Sequence, residues 1–181
     1  MLRSSKVIEP FEKLTASFGL PHYAEVDPSV FWFFTYPFIF GLMFGDFGHG
    51  LLLLGCALAL LVVKRAGYEK RLKGGLATLG TYVFGGAPIM VLCGISATIF
   101  GVLYGEFFGS TELYHEITGT HGLWIEPFHQ PLTFLMWTIY IGVLHISFGL
   151  ILGVINKVIK GEYEEIFIKY IPWMWLYFGL A

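Results

Sequence analysis

An all-α, polytopic transmembrane helical bundle is the fold this sequence predicts, and three observations predict it. Of the 181 residues, 56% are hydrophobic and 18% aromatic, while only 13% are charged. With a mean hydropathy of +0.70, the chain carries more apolar surface than a soluble domain of this size could bury. The apolar residues are gathered into long runs, which favours membrane-crossing helices. All 11 Lys and Arg fall in three short stretches of the chain, as the loops on one side of a membrane would require.

Each element follows in order. Residues 1–28, "MLRSSKVIEPFEKLTASFGLPHYAEVDP", are polar and turn-rich and lack the pattern of a secretory signal. They are expected to form a cytoplasmic lead segment, followed by a transmembrane domain over 29–181. Ser29 to Val63 is too long an apolar run for one helix, since about 20 residues cross the hydrocarbon. Division at Gly45-Asp46 gives spans of approximately 29–45 and 47–63, each roughly 25 Å long. An undivided helix would hold Asp46 at mid-membrane at about 2.5 to 3.5 kcal/mol, whereas a hairpin moves it to the interface. The third span is expected over 80–103, where Gly85, Gly86 and Pro88 predict a kink or a helix start. The fourth is expected over 132–155. A fifth begins at Ile166, and its short remaining length suggests a piece of a larger polypeptide.

Charge sidedness agrees with the hairpin. Arg3, Lys6 and Lys13 precede the first span; Lys64, Arg65, Lys70, Arg71 and Lys73 follow the second; Lys157, Lys160 and Lys169 follow the fourth. The turn at Asp46 and the loop from Tyr104 to Pro131 have no Lys or Arg, and that loop carries Glu106, Glu112, Glu116 and Glu126. The positive-inside rule then puts the N-terminus in the cytoplasm and Asp46 on the outer side.

The spans also carry helix-packing patterns. Gly142, His145, Gly149, Gly153 and Asn156 share one face of the fourth, with Gly149 and Gly153 in small-xxx-small spacing. Ala97, Gly101 and Gly105 repeat the spacing in the third span, as Gly41 and Gly45 do in the first.

Four polar residues are candidates for an ion pathway or a structural role. Asp46 and His49 are close enough to bond each other or to cap the second helix. An acidic mouth to an ion path is the sharper reading. Glu106 could join that mouth or be a solvated loop acid. His145, on the glycine face of the fourth span, reads as an interhelical hydrogen-bonding group, a proton relay or a haem ligand. Asn156 reads as a helix-terminal or packing residue.

Other chemistries find little support. His115, Glu116 and His121 in "YHEITGTH" lack the spacing of a zinc protease, so no metal is expected. No serine-hydrolase elbow, phosphate-binding loop or dinucleotide fingerprint occurs, and no catalytic residue, cofactor or nucleic-acid partner is expected. Cys56 and Cys93 fall inside spans and read as small packing residues.

The stretch "PFEKLTASFGLPHYAEVDPSVFWFFTYPFIFGLMFGDFGHGLLLL" resembles the start of the membrane domain of the large stator subunit of V/A-type rotary ATPases. That subunit is called I in archaea and bacteria and a in eukaryotes. The carriers are a "YGLPxYxExDP" lead, with Phe18 replacing Tyr, and "PFxFGxMFGDxGHG"; "GVLYGEFFG" and "GVLHISFGLILGVINKV" are also similar. The resemblance implies a non-catalytic stator subunit of a prokaryotic cell membrane, beside a rotor ring of proteolipid subunits. It also implies contacts with other stator subunits, the rest of the same subunit and the bilayer.

In that family two offset half-channels carry protons, or sodium in some members, to and from a ring carboxylate. An arginine on a late span separates them. No Lys or Arg lies within the first four spans here, so the arginine's role is not carried over. Two alternatives remain at this level. One is a redox-complex anchor with His145 and His49 as haem ligands; the other is a small independent channel or transporter.

Overall fold

The computed structural model describes residues 8–18, 26, 28–67 and 75–180. Much of the 1–28 lead, together with Lys70, Arg71 and Lys73, lies outside the described residues. The helices run α1 (Glu9–Phe18), α2 (Ser29–Met43), α3 (Phe47–Arg65), α4 (Gly75–Tyr104), α5 (Thr111–Thr118), α6 (Pro131–Lys160) and α7 (Tyr163–Glu165). A π-helical turn (Ile166–Tyr170) joins α7 to α8 (Ile171–Leu180). No strand occurs among the described residues, and an isolated bridge pairs Phe107 with Ser110. The chain is an all-α bundle.

The first apolar run is two helices because the backbone cannot stay helical through Gly45 and Asp46. Phe44 N–H still bonds back to Phe40 O at 2.8 Å, but Asp46 is extended, with φ −135 and ψ 125. Segments α3, Leu79–Tyr104 of α4, and α6 are each long and apolar enough to cross a membrane. With 15 residues, α2 spans about 22 Å, short of the roughly 30 Å of hydrocarbon.

Helix α4 is the platform on which both α2 and α3 pack. Glycines permit the approach: a Cβ at Gly50 would crowd the Thr98 backbone, one at Gly94 the Leu54 backbone, and one at Gly41 Ser96 and Phe100. At Gly101 it would overlap Phe47 N and the Asp46 carbonyl carbon. The α3–α4 contact is therefore backbone against backbone, the geometry that small residues make possible inside membranes.

No helix start occurs at Gly85–Pro88, since α4 runs on from Gly75 to Tyr104. Pro88 has no N–H, so the Phe84 carbonyl one turn earlier loses its helical donor. Lys64 Nζ donates to Phe84 O at 3.2 Å and supplies the missing bond from the neighbouring helix.

Leu42, Phe100 and Tyr104 form a buried cluster, against which Phe134 and Ile141 of α6 pack. Tyr104 is 2% exposed, and its hydroxyl donates to Leu42 O at 2.9 Å. That carbonyl belongs to the last turn of α2 and has no donor within the helix. Helix α6 continues past the expected 155 to Lys160, because lysines sustain a helix beyond the apolar run. Gly161 then stops it with φ 73, and Glu162 N–H bonds Lys157 O at 3.1 Å, as left-handed caps do. Beyond the cap, Lys157 pairs with Glu162 and, at 2.9 Å, with Glu165.

Two glycine substitutions separate packing from propensity. Gly101→Ala is expected to destabilise the bundle by about 1 to 3 kcal/mol or more, as overpacking does. Gly55→Ala, where a Cβ meets nothing within 4 Å among the described residues, should be neutral or slightly stabilising. Thermal unfolding of the two variants in detergent checks the contrast.

Candidate functional site

The polar centre of the described chain is assembled from two connections, the α2–α3 break and the segment that follows α4. Asp46 is the N-cap of α3. Its Oδ1 accepts the His49 N–H at 2.8 Å, satisfying one of the donors that a helix start leaves free. The same carboxylate reaches across the bundle. Oδ1 also accepts the Phe108 N–H at 3.1 Å, and Oδ2 accepts the Gly109 N–H at 2.6 Å. The His49 Nδ1 lies 3.2 Å from Oδ2, and the imidazole ring rests edge-on against Phe108, with centroids 4.9 Å apart.

Local sequence prepares the second connection. In "EFFGS", Phe107 and Ser110 exchange two backbone hydrogen bonds of 3.1 Å. Between them Phe108 and Gly109 both have positive φ, 49 and 76, the signature of a tight two-residue turn. Two successive N–H groups in such a turn form an anion-binding concavity, which Asp46 fills. One backbone bond closes the junction: Phe47 N–H donates to Glu106 O at 2.9 Å. Burial raises the Asp46 pKa, but the His49 and Gly109 N–H groups, the His49 ring and the Phe108 N–H outweigh it. The net effect holds the carboxyl below its usual 3.8.

Glu106 behaves oppositely. Expected as either a solvated loop acid or part of an acidic mouth, it is only 8% exposed, and its Oε1 has no hydrogen-bond partner among the described residues. Burial, followed by the charges of Asp46 and Glu126, pushes it up to about 7.

A profile of the V-type ATPase 116kDa subunit family matches residues 1–117. The chain belongs to that family. Among curated relatives it is 33% identical to A-type ATP synthase subunit I of Thermococcus kodakarensis over 95% of this chain and 25% of the relative. It is 34% identical to the Pyrococcus horikoshii protein of the same name, over 99% and 25% of the two chains. With V-type proton ATPase subunit a1 of Arabidopsis thaliana the identity is 28%, over 95% and 24%. The chain thus spans about a quarter of the length of these relatives.

In this family member the remaining candidates lie apart from the Asp46 group. His145 stacks on Phe31, with centroids 5.1 Å apart and planes at 14°, and lines an apolar groove of about 500 Å³ between α2 and α6. His49 contacts Phe44, just past the other end of α2 from Phe31, roughly 20 Å of helix away. The two histidines therefore do not form a haem-ligand pair. Among the described residues a Cβ at Gly142 or Gly149 would meet nothing within 4 Å, whereas one at Gly153 would meet the Tyr170 ring. Asn156 Oδ1 accepts the Val26 N–H at 2.8 Å, tying α6 to the stretch before α2.

Sequence reasoning missed the Phe108–Gly109 turn as a partner for Asp46, although the glycine and Ser110 in "EFFGS" are turn signals. It also missed a polar pocket of about 430 Å³ lined by residues that include Glu112, His115, His121 and Glu126. There the His115 and His121 rings lie 4.4 Å apart, and His129 Nδ1 is 2.6 Å from Glu126 Oε2. Among the described residues no group of three or more His, Cys, Asp or Glu is arranged to hold a metal ion.

Asp46→Asn is expected to destabilise the fold by about 1 to 3 kcal/mol. The amide oxygen can still serve His49 and Phe108, but the NH2 group then faces the Gly109 N–H and leaves it unpaired. Chemical denaturation in mild detergent measures the loss. Because the folded pKa of Asp46 is depressed, its contribution is present above the unfolded value of 3.8. It is lost as pH falls through the lower folded value, so the wild-type advantage over Asp46→Asn should shrink on acidification into that range.

Proposed function

We propose that this chain forms the first part of the membrane domain of a rotary ATPase stator subunit. In this reading the subunit is non-catalytic and stands beside a ring of proteolipid rotor subunits in a proton-translocating complex. The family match over residues 1–117 is the observation that carries the proposal. The name of one relative, V-type proton ATPase subunit a1, supports the proton as the ion.

Within that machine the Asp46 group is a structural scaffold and not a conducting group. Both carboxylate oxygens are already engaged by backbone N–H groups, an arrangement that opposes the repeated protonation a conducting group must undergo. The scaffold lies at the outer end of α3 and α4. Supporting this side, Lys64 and Arg65 close α3 and Lys157 and Lys160 close α6, while the loop beyond α4 has no cation.

Sidedness is checked with a membrane-impermeant maleimide on intact cells. Thr120→Cys should be labelled directly and Lys160→Cys only after permeabilisation; the reverse pattern contradicts the orientation. Function is checked in the assembled complex. Asp46→Asn should lower the amount of assembled complex, while ATP-driven proton transport per complex stays within about twofold. A loss of transport at unchanged assembly would make Asp46 part of the path.

A further inference from the structure

Glu106 is the buried acid that the scaffold does not use. Its main-chain carbonyl holds Phe47 N–H at 2.9 Å, so its backbone is part of the junction, yet its side-chain Oε1 is buried without a partner among the described residues. The neighbouring acids are differently provided. Asp46 has three backbone N–H donors and His49, and Glu126 has His129 at 2.6 Å. No lysine or arginine occurs between Leu14 and Val63 or between Gly74 and Asn156. A charged Glu106 would therefore sit in a desolvated place near two other acids, without a lysine or arginine partner among the described residues.

We propose that Glu106 is a proton-binding site, neutral in the tightly closed junction, and that release of its proton to water loosens the 107–110 turn from Asp46. When two acids share a site, the one richer in donors stays ionised and its neighbour retains the proton. The titratable groups around it are Asp46 and His49 at the start of α3, Tyr104 of α4, Glu112, Tyr114, His115 and Glu116 of α5, and His121, Glu126 and His129 of the segment after α5. Asp46 and Glu126 oppose ionisation directly. His49 and His129 are committed to those two acids, the His115 and His121 rings lie against each other at 4.4 Å, and a phenol offers no positive charge.

The sign follows from linkage. The carboxyl titrates near 7 in the folded chain against an ordinary 4.5, so the folded state binds more protons between those values. Stability is highest below about 4.5 on this group's account and falls as pH rises through about 7.

Infrared spectroscopy of the membrane-reconstituted protein tests the proposal. A carboxylic-acid carbonyl band should lose about tenfold of its intensity between pH 6 and pH 8, as a group of pKa near 7 does, and Glu106→Gln should lack it. The thermal midpoint of the wild type should fall over the same interval, and that of Glu106→Gln should stay level. Absence of the band in the wild type at pH 6, or its persistence in the variant, overturns the proposal. The wild-type titration stands even if the variant fails to fold. Which compartment sets the relevant pH rests on the orientation proposed above, and the band itself is read without reference to labelling or transport.

Discussion

The bond set of one carboxylate organises the described bundle. Asp46 takes N–H donors from its own helix and from a turn 62 and 63 residues further along the chain. Membrane helices gain little from the hydrophobic effect against one another, so close packing and satisfied polar groups must hold them in place. A charge-assisted bond is roughly twice as strong as a neutral one. Placed where two connections meet, three of them fix the height and rotation of α3 relative to α4.

The glycines are the steric condition for that bond set. Gly101 lets the Asp46–Phe47 backbone rest directly on α4, and Gly101 O in turn accepts the N–H groups of Gly105 and Glu106 at 2.9 and 3.1 Å. Any side chain at 101 would lift α3 and draw Asp46 away from Phe108 and Gly109. At the opposite end of the pair, Lys64 completes the Pro88 gap in α4 through Phe84 O. The α3–α4 pair is thus joined at both ends by a polar side chain of the α3 segment that bonds a main-chain group without a helical partner.

What could be read from sequence was mostly local. The break at Gly45-Asp46 and the cap by Asp46 follow from residue types within one turn, and the apolar runs follow from composition. Relations between distant elements were hidden. "GGAPIM" carried the signals of an interruption, but the lysine that supplies the missing bond lies on α3, 20 residues before Phe84. The carboxyl of Glu106 reads as a loop acid until folding sets its backbone against Phe47. On α6 the glycine pattern is clear in the sequence, yet only Gly153 among Gly142, Gly149 and Gly153 meets another side chain among the described residues.

Amide hydrogen exchange in the reconstituted protein tests the central role of Asp46 most directly. The Phe108 and Gly109 amides lie in a short turn, where water would normally exchange them quickly. If Asp46 holds them, they should exchange as slowly as the His49 amide in the wild type, and Gly109 should be released in Asp46→Asn. Fast exchange at both turn amides in the wild type would mean that the carboxylate does no more than cap α3, and the account of the junction would fail.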